Sequence, residues 1–215
     1  MPGDTEPQFI VVGEGAARRR IATLAAPGDA PGLVWLPGFK SDMVSTKATA
    51  LAAWAAGRGL ACTRFDYSGH GQSEGRFEDG TLGRWLEEAE AVFTRAGKGR
   101  QIVVGSSMGG NIALLLLRRL LAAAPAEAAR IKALVLIAPA WDMTEELMWK
   151  RFSTEARDAI MTRGVWLRPS AYGEPYAITR QLIEDGRRHL LGSTPWNPGR
   201  PVRIIHGKLD PDVPW

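Results

Sequence analysis

Gly105-Ser106-Ser107-Met108-Gly109 is the stretch of this chain whose residue types could do nucleophilic chemistry. A serine hydroxyl attacks well only when it is lifted clear of its own backbone, near a base and beside donors that can hold a developing negative charge. A G-x-S-x-G turn between a strand and a helix supplies the lift and the donors. Here the five residues follow the β-branched run Ile102-Val103-Val104 and precede an apolar helical pattern from Gly110 to Leu117. The turn is so sharp that side chains two positions either side of the centre would collide, which accounts for Gly105 and Gly109. Ser107 is then the expected nucleophile, at a helix N-terminus whose free N–H groups and dipole favour negative charge. In a chain with 24 glycines the five residues alone carry little weight; after a buried-strand pattern they carry much.

Three other stretches stand where acyl transfer needs them. Leu36-Pro37-Gly38-Phe39 ends a buried strand pattern, so the Phe39 and Met108 N–H groups form the expected oxyanion pair, with Gly38 allowing close backbone approach. Without the serine turn, the same residues would read as an ordinary Pro-Gly turn. Arg64-Phe65-Asp66-Tyr67-Ser68-Gly69-His70-Gly71-Gln72-Ser73-Glu74-Gly75 is a tight loop in which Asp66 can tie down backbone N–H groups. His70 lies between loop glycines and precedes the serine, so it reads as structural or solvent-facing rather than as the base. In Ile204-Ile205-His206-Gly207-Lys208-Leu209-Asp210, a strand ends in a turn that would put a carboxylate at the sheet edge. Asp210 is the expected orienting acid, with Asp212 as the fallback, and His206 reads as structural.

Strand-like runs must position these groups. Phe9–Val12 and Arg20–Leu24 read as an N-terminal antiparallel pair. Runs at Leu33–Leu36, Ala61–Asp66, Ile102–Val104, Ala133–Ile137 and Val202–Ile205 alternate with helical patterns at Ser45–Arg58, Gly83–Ala96 and beyond Gly109. That alternation predicts an α/β fold, a mostly parallel sheet with helices on both faces. From Trp141 to Pro201 the texture changes to Trp, Met, Tyr and Pro mixed with charges, without a buried-strand run. Two or three short helices forming a small cap are expected there. The chain divides into 1–140 as the first part of the core, 141–200 as the cap insertion and 201–215 as the strand carrying the acid. Trp141, Met148, Trp149 and Trp166 are the cap residues expected to meet substrate, although most such residues must serve only to pack the cap.

Composition narrows the partners. The 215 residues carry 45% hydrophobic and 23% charged residues, ordinary for a globular domain, and the net charge of +4 is scattered among acids. No basic stripe with interleaved aromatics supports nucleic-acid binding. The single cysteine, Cys62, excludes an intrachain disulfide and a cysteine metal cluster, and it reads as a buried strand thiol. The N-terminus lacks a basic and apolar leader pattern, and the run from Leu114 to Leu121 is broken by Arg118-Arg119, so no stable membrane insertion and a cytoplasmic location are expected.

The four motifs in this order resemble the α/β-hydrolase superfamily. They are most similar to the group that contains mitochondrial palmitoyl-protein thioesterases active also on acyl glucuronides. Pro37-Gly38-Phe39, Thr46-Lys47-Ala48, Arg64 to Gly69, Thr81-Leu82-Gly83-Arg84-Trp85, Gly105 to Gly110, Gly164-Val165-Trp166 with Pro169-Ser170, and Asp212-Val213-Pro214-Trp215 carry that similarity. It implies a serine hydrolase that cleaves carboxylic esters or thioesters of small molecules or acylated proteins through an acyl-enzyme, with no cofactor and no metal. It also implies a catalytic histidine after the acid. None of His70, His189 and His206 fits that place, so the histidine is expected beyond residue 215, together with a last strand and helix. Two other readings stay open. A proline-releasing aminopeptidase would hold a substrate amine with Glu145, Glu146 or Glu174, and a non-catalytic binding protein would use the cap pocket alone.

Overall fold

The structure, a computed structural model, describes residues 6–170 and 173–215. Residues 1–5 of the expected core and 171–172 of the expected cap lie outside the described residues. β1 (Gln8–Val12) and β2 (Arg19–Ala26) pair antiparallel, with Ile10 opposite Ile21. There follow β3 (Asp29–Leu36), α1 (Thr46–Ala56), β4 (Leu60–Phe65), α2 (Leu82–Arg95), β5 (Gln101–Ser106) and α3 (Met108–Ala123). A short α4 (Pro125–Ala128) leads to β6 (Ile131–Ile137). The cap holds a π-helical turn (Thr144–Met148), α5 (Thr154–Arg163), β7 (Val165–Ser170), β8 (Gly173–Thr179) and α6 (Arg180–Gly186), and β9 (Val202–Ile205) returns to the core.

The seven-stranded sheet has the order β1-β2-β4-β3-β5-β6-β9. From β4 to β9 every pairing is parallel, while β2 runs antiparallel to both of its neighbours. The chain moves from β3 outward to β4, then crosses back over β3 to β5. β3 and β5 therefore flank the point where the winding reverses, and a crevice opens there at the carboxyl ends of the strands. The segments after those two strands are Pro37-Gly38-Phe39 and Ser107.

Strand alternation sorts the core into two faces. Val34, Leu36 and Val103 join Trp85, Val92, Ile112 and Leu115 of α2 and α3 in the main cluster. Leu33 and Trp35 turn the other way, toward Ala55 and Ala48 of α1. Cys62 is buried beside Leu33, and burial pushes its thiol to about 11, so it is a packing residue. β9 differs from the other strands, for Ile204 and Ile205, which point to opposite faces, are 60% and 61% exposed.

The cap is not only helical. Helical segments alone were expected over 141–200, but β7 and β8 form an antiparallel hairpin in which Trp166 faces Ile178 and Leu167 faces Ala177. Val165, Trp166, Tyr176, Ile178 and Thr179 are β-favouring residues. Leu167 is exposed and Arg168-Pro169 follow, so the run carries too few buried apolar positions to read as a core strand.

One buried ion pair ties the antiparallel strands to α2. Arg19 bonds Glu88, which is fully buried, and also reaches Glu87 at 2.8 Å. Removing one partner strands the other charge inside the protein, at a cost of about 3–5 kcal/mol, whereas replacing both with apolar residues avoids that penalty. Arg19→Met is therefore expected to lower unfolding free energy by that amount, and Arg19→Met/Glu88→Leu by clearly less than Arg19→Met alone, as measured by urea denaturation.

Candidate active site

Ser107 sits at φ 54° and ψ −117°, in a region that side-chain-bearing residues seldom occupy. Hydrogen bonds on both sides hold it there. Its N–H donates to the Ile137 carbonyl at 2.9 Å, and its own carbonyl accepts from Gly110 at 2.9 Å and Ala140 at 3.0 Å. The glycines are steric necessities. A Cβ on Gly105 would stand 2.3 Å from the Gly109 oxygen, and one on Gly109 would stand 2.0 Å from the Leu36 oxygen. The Oγ of Ser107 has no hydrogen-bond partner among the described residues, and Ser107 is part-exposed where Ser106 is buried.

The segment after β3 lies against this turn. A Cβ on Gly38 would be 3.3 Å from the Ser106 oxygen and 3.5 Å from the Ser107 Cβ. The Phe39 and Met108 N–H groups have no protein acceptor among the described residues. Two uncommitted amides beside a lifted hydroxyl can together hold an oxyanion.

The loop from Asp66 to Gly75 braces that segment from below. Asp66 is buried, and its carboxylate accepts from Met43 N–H at 2.6 Å and Gln72 N–H at 2.8 Å. Burial raises its pKa while those two amides pull it back down. His70 is also buried: its Nδ1 lies 3.1 Å from the Ser68 carbonyl and its Nε2 accepts from Lys40 N–H at 3.1 Å. Its ring meets Phe39, Tyr67, Phe77 and Trp85 edge-on. His70 is thus an internal group rather than a base for Ser107, and of the two roles read for it the solvent-facing one is corrected: its glycine neighbours suggested an open loop, but the aromatic rings enclose it.

Asp210 stands in the turn after β9. Its Oδ1 accepts from Asp212 N–H at 3.0 Å and Val213 N–H at 2.9 Å, which leaves Oδ2 without a protein donor among the described residues. Asp212 is exposed and contributes its amide to that turn. His206 bonds the Val213 carbonyl at 2.7 Å, closing the turn, and His189 bonds the Asp185 carbonyl at 2.9 Å where the cap meets α2. Sheet register aligns Ser106 with Ile137 and Ile137 with Ile205, so the serine and acid turns leave the same edge two strands apart. That is about 10 Å at the usual strand spacing. None of the three histidines contacts Ser107.

The cap residues singled out in the sequence take varied places. Met148 is buried in the main cluster, Trp166 packs edge-on against Phe152 at 4.9 Å, and the Trp149 ring carries the guanidinium groups of Arg157 at 5.5 Å and Arg187 at 4.9 Å. Trp141 is 41% exposed. A cavity of about 370 Å³ opens beside the Phe39 segment, and none of those four lines it. Its walls include Lys40, His70 and Phe77 from the core and Leu167, Pro175 and Tyr176 from the hairpin. Sequence reasoning missed these hairpin residues because they lie on strands that were not anticipated.

Comparison with known proteins agrees with this architecture. A family model described as serine aminopeptidase, S33 (Hydrolase_4) matches residues 33–184. Over 190 residues the chain is 36% identical to human palmitoyl-protein thioesterase ABHD10, mitochondrial, covering 87% of this chain and 60% of that protein. The chain thus spans about 60% of the length of the curated relatives it matches. The crystal structure of a putative hydrolase from Agrobacterium vitis S4 is 43% identical with a TM-score of 0.92, covering 97% of this chain and 81% of that one. Alpha/beta hydrolase domain-containing protein 10 from mouse is 30% identical with a TM-score of 0.80, over 97% of this chain and 80% of that one. With the family match spanning most of the core and the winding reversal placed between its two key turns, the chain belongs to the Hydrolase_4 family of α/β-hydrolases.

Proposed function

We propose that the protein is a serine hydrolase of carboxylic esters and thioesters. The observation that carries this reading is the pair of uncommitted amides, Phe39 and Met108, flanking a serine held at positive φ above the sheet. In the reaction, Ser107 Oγ attacks the acyl carbon as a base takes its proton. The two amides hold the oxyanion, and the alcohol or thiol leaves with that proton. Water then attacks the acyl-enzyme by the same route in reverse and frees the acid. Asp210 orients the base through Oδ2, the oxygen its turn leaves uncommitted. The three histidines of the sequence are engaged elsewhere, His70 with Lys40 and Ser68, His189 with Asp185 and His206 with Val213, so none of them is assigned as the base.

Relatives named palmitoyl-protein thioesterase support an S-acylated protein, or a small thioester or ester, as substrate. The cavity beside the Phe39 segment offers Leu167, Tyr176 and Phe77 as apolar walls for the acyl chain or the leaving group. The aminopeptidase reading has weaker support. Two of the carboxylates it would use are already neutralised, Glu145 by Arg187 at 3.1 Å and Glu146 by Lys150 at 2.6 Å.

A fluorophosphonate probe applied to the full-length protein is expected to label wild type and Ser106→Ala but not Ser107→Ala; labelling of Ser107→Ala would overturn the nucleophile assignment. In the same protein Asp210→Asn is expected to lower kcat by about 10⁴, the size of effect seen when a triad acid is neutralised, with KM roughly kept. Asp212→Asn should stay within about threefold of wild type, since its carboxylate faces solvent. The reverse ranking in thioester hydrolysis would show that the acid is Asp212.

A further inference from the structure

We propose that His70 is a positioning residue for the oxyanion site, its Nε2 lone pair holding the Lys40 N–H and thereby the peptide next to the Phe39 amide. This rests on the assignment of Phe39 as an oxyanion donor. Lys40 is the residue that most needs holding. It has φ 58°, the left-handed region that side-chain-bearing residues avoid, and the next amide along the chain from the proposed donor is its own. The Lys40 N–H donates to His70 Nε2 at 3.1 Å, and that is its only acceptor among the described residues.

The imidazole is itself fixed. Its Nδ1 proton goes to the Ser68 carbonyl, which also accepts from Trp85 Nε1 at 3.2 Å, and the Ser68 N–H donates to the buried Glu88 carboxylate at 2.8 Å. The ring is packed edge-on by Phe39, so the residue bearing the proposed donor amide touches His70 through its side chain as well. A chain of fixed bonds runs from Arg19 and Glu88, through Ser68 and His70, to the Lys40 amide. Only one tautomer serves, with the proton on Nδ1 and the lone pair on Nε2. Protonating Nε2 replaces an attraction with a clash of two donors.

Burial lowers the His70 pKa below its ordinary value of 6.5. The Ser68 bond and Asp42 oppose that shift, and the Lys40 ammonium adds to it. Other polar and charged groups near the ring include Tyr67, whose ring centroid lies 6.2 Å away, the buried Asp66 carboxylate packed against Gly71, and Glu78, which lines the same cavity. Above 6.5 the imidazole is neutral in folded and unfolded chains alike, so the bond is intact. As pH falls below 6.5 the unfolded chain takes up a proton that the folded one resists, and stability declines until the lowered folded pKa is crossed and the bond is lost.

The test uses the ¹⁵N-labelled full-length protein. In wild type, fluorophosphonate addition at Ser107 should move the Phe39 amide resonance strongly. If it does not move, the oxyanion assignment itself fails, whatever His70 does. With p-nitrophenyl butyrate, His70→Phe should lower kcat between about 10- and 100-fold, less than or comparable to losing one oxyanion donor outright, with KM within about threefold. His70→Gln, whose amide oxygen can replace the Nε2 lone pair without titrating, should recover most of the loss. The ratio of wild-type to His70→Gln kcat should stay flat through pH 6.5 and fall only at lower pH, where the lowered His70 pKa is crossed, with the wild-type Lys40 amide titrating in step. Because both proteins share the same general base, its titration cancels in that ratio. If the Phe39 resonance moves but His70→Phe keeps wild-type kcat, the positioning role is overturned. Equal kcat losses in both variants with a pH-independent ratio would overturn it too, leaving His70 a packing residue.

Discussion

The contact on which this molecule depends is between backbones: the first turn of α3 pressed against the ends of β3 and β5. Gly109 meets the Leu36 carbonyl and Gly105 meets Gly109, at separations that leave no room for a Cβ. That closeness forces Ser107 to positive φ, a strain of about 1–3 kcal/mol. The hydrogen bonds from Ser107 to Ile137, Gly110 and Ala140 offset it at about 1 kcal/mol each. A looser junction would relieve the strain, but it would also let the helix N-terminus drift away from the crevice. The same approach brings Gly38 against Ser107, so one packing constraint sets the positions of the hydroxyl and both amides.

A second layer keeps the β3 end from relaxing. The loop after β4 cannot rest on apolar packing alone, because it turns back on itself and leaves amides inside the protein. Buried carboxylates take them: Asp66 serves Gln72 and also Met43 of the segment after β3, and Glu88 serves Ser68. The start of α2 completes the brace. Thr81 caps the helix through Arg84 N–H, while bare Gly83 lets Asp185 of the cap accept its N–H at 2.7 Å, with His189 packed close by. Trp85 carries the force across, one indole face under Phe39 and His70 and its N–H on the Ser68 carbonyl. Charge is buried here because fixed dipoles, and Arg19 in particular, already wait for it.

The core was legible in the sequence where periodicity and punctuation agreed. Leu33–Leu36, Ile102–Val104 and Ala133–Ile137 are apolar on both faces, the mark of central parallel strands, and each ends at a Gly, Ser or Pro turn. The serine turn could be read because its glycines have a steric reason visible from spacing alone. What could not be read depends on partners distant in the chain. His70 looked like a loop residue between glycines, and only the fold encloses it in rings from Phe39, Phe77 and Trp85. The β7–β8 hairpin was hidden because a two-stranded ribbon with one exposed face has mixed composition, much like an amphipathic helix of the same length. Asp142 gave no signal at all, yet its buried carboxylate binds Leu191 and Gly192 and so closes the cap on itself.

That closure bears on which parts of the molecule are free to vary. Phe152, Ile160, Ile178, Leu182 and Ile183 of the cap belong to the same buried cluster as Leu36, Trp85 and Ile112 of the core. The cap is therefore an extension of the core rather than a loosely attached lid, and each of those residues serves stability as well as shape. Truncating one would cost about 2–5 kcal/mol before it altered any pocket. The hairpin is placed differently: Leu167 is 61% exposed and borders the cavity, and Tyr176 packs on Phe39 and Phe77 while presenting an edge to the same space. Leu167 can change size with little penalty to folding, whereas Tyr176 is held by its aromatic neighbours. The serine turn is fixed by backbone contacts that tolerate no added atoms, and the freedom to vary lies at the exposed positions of the hairpin.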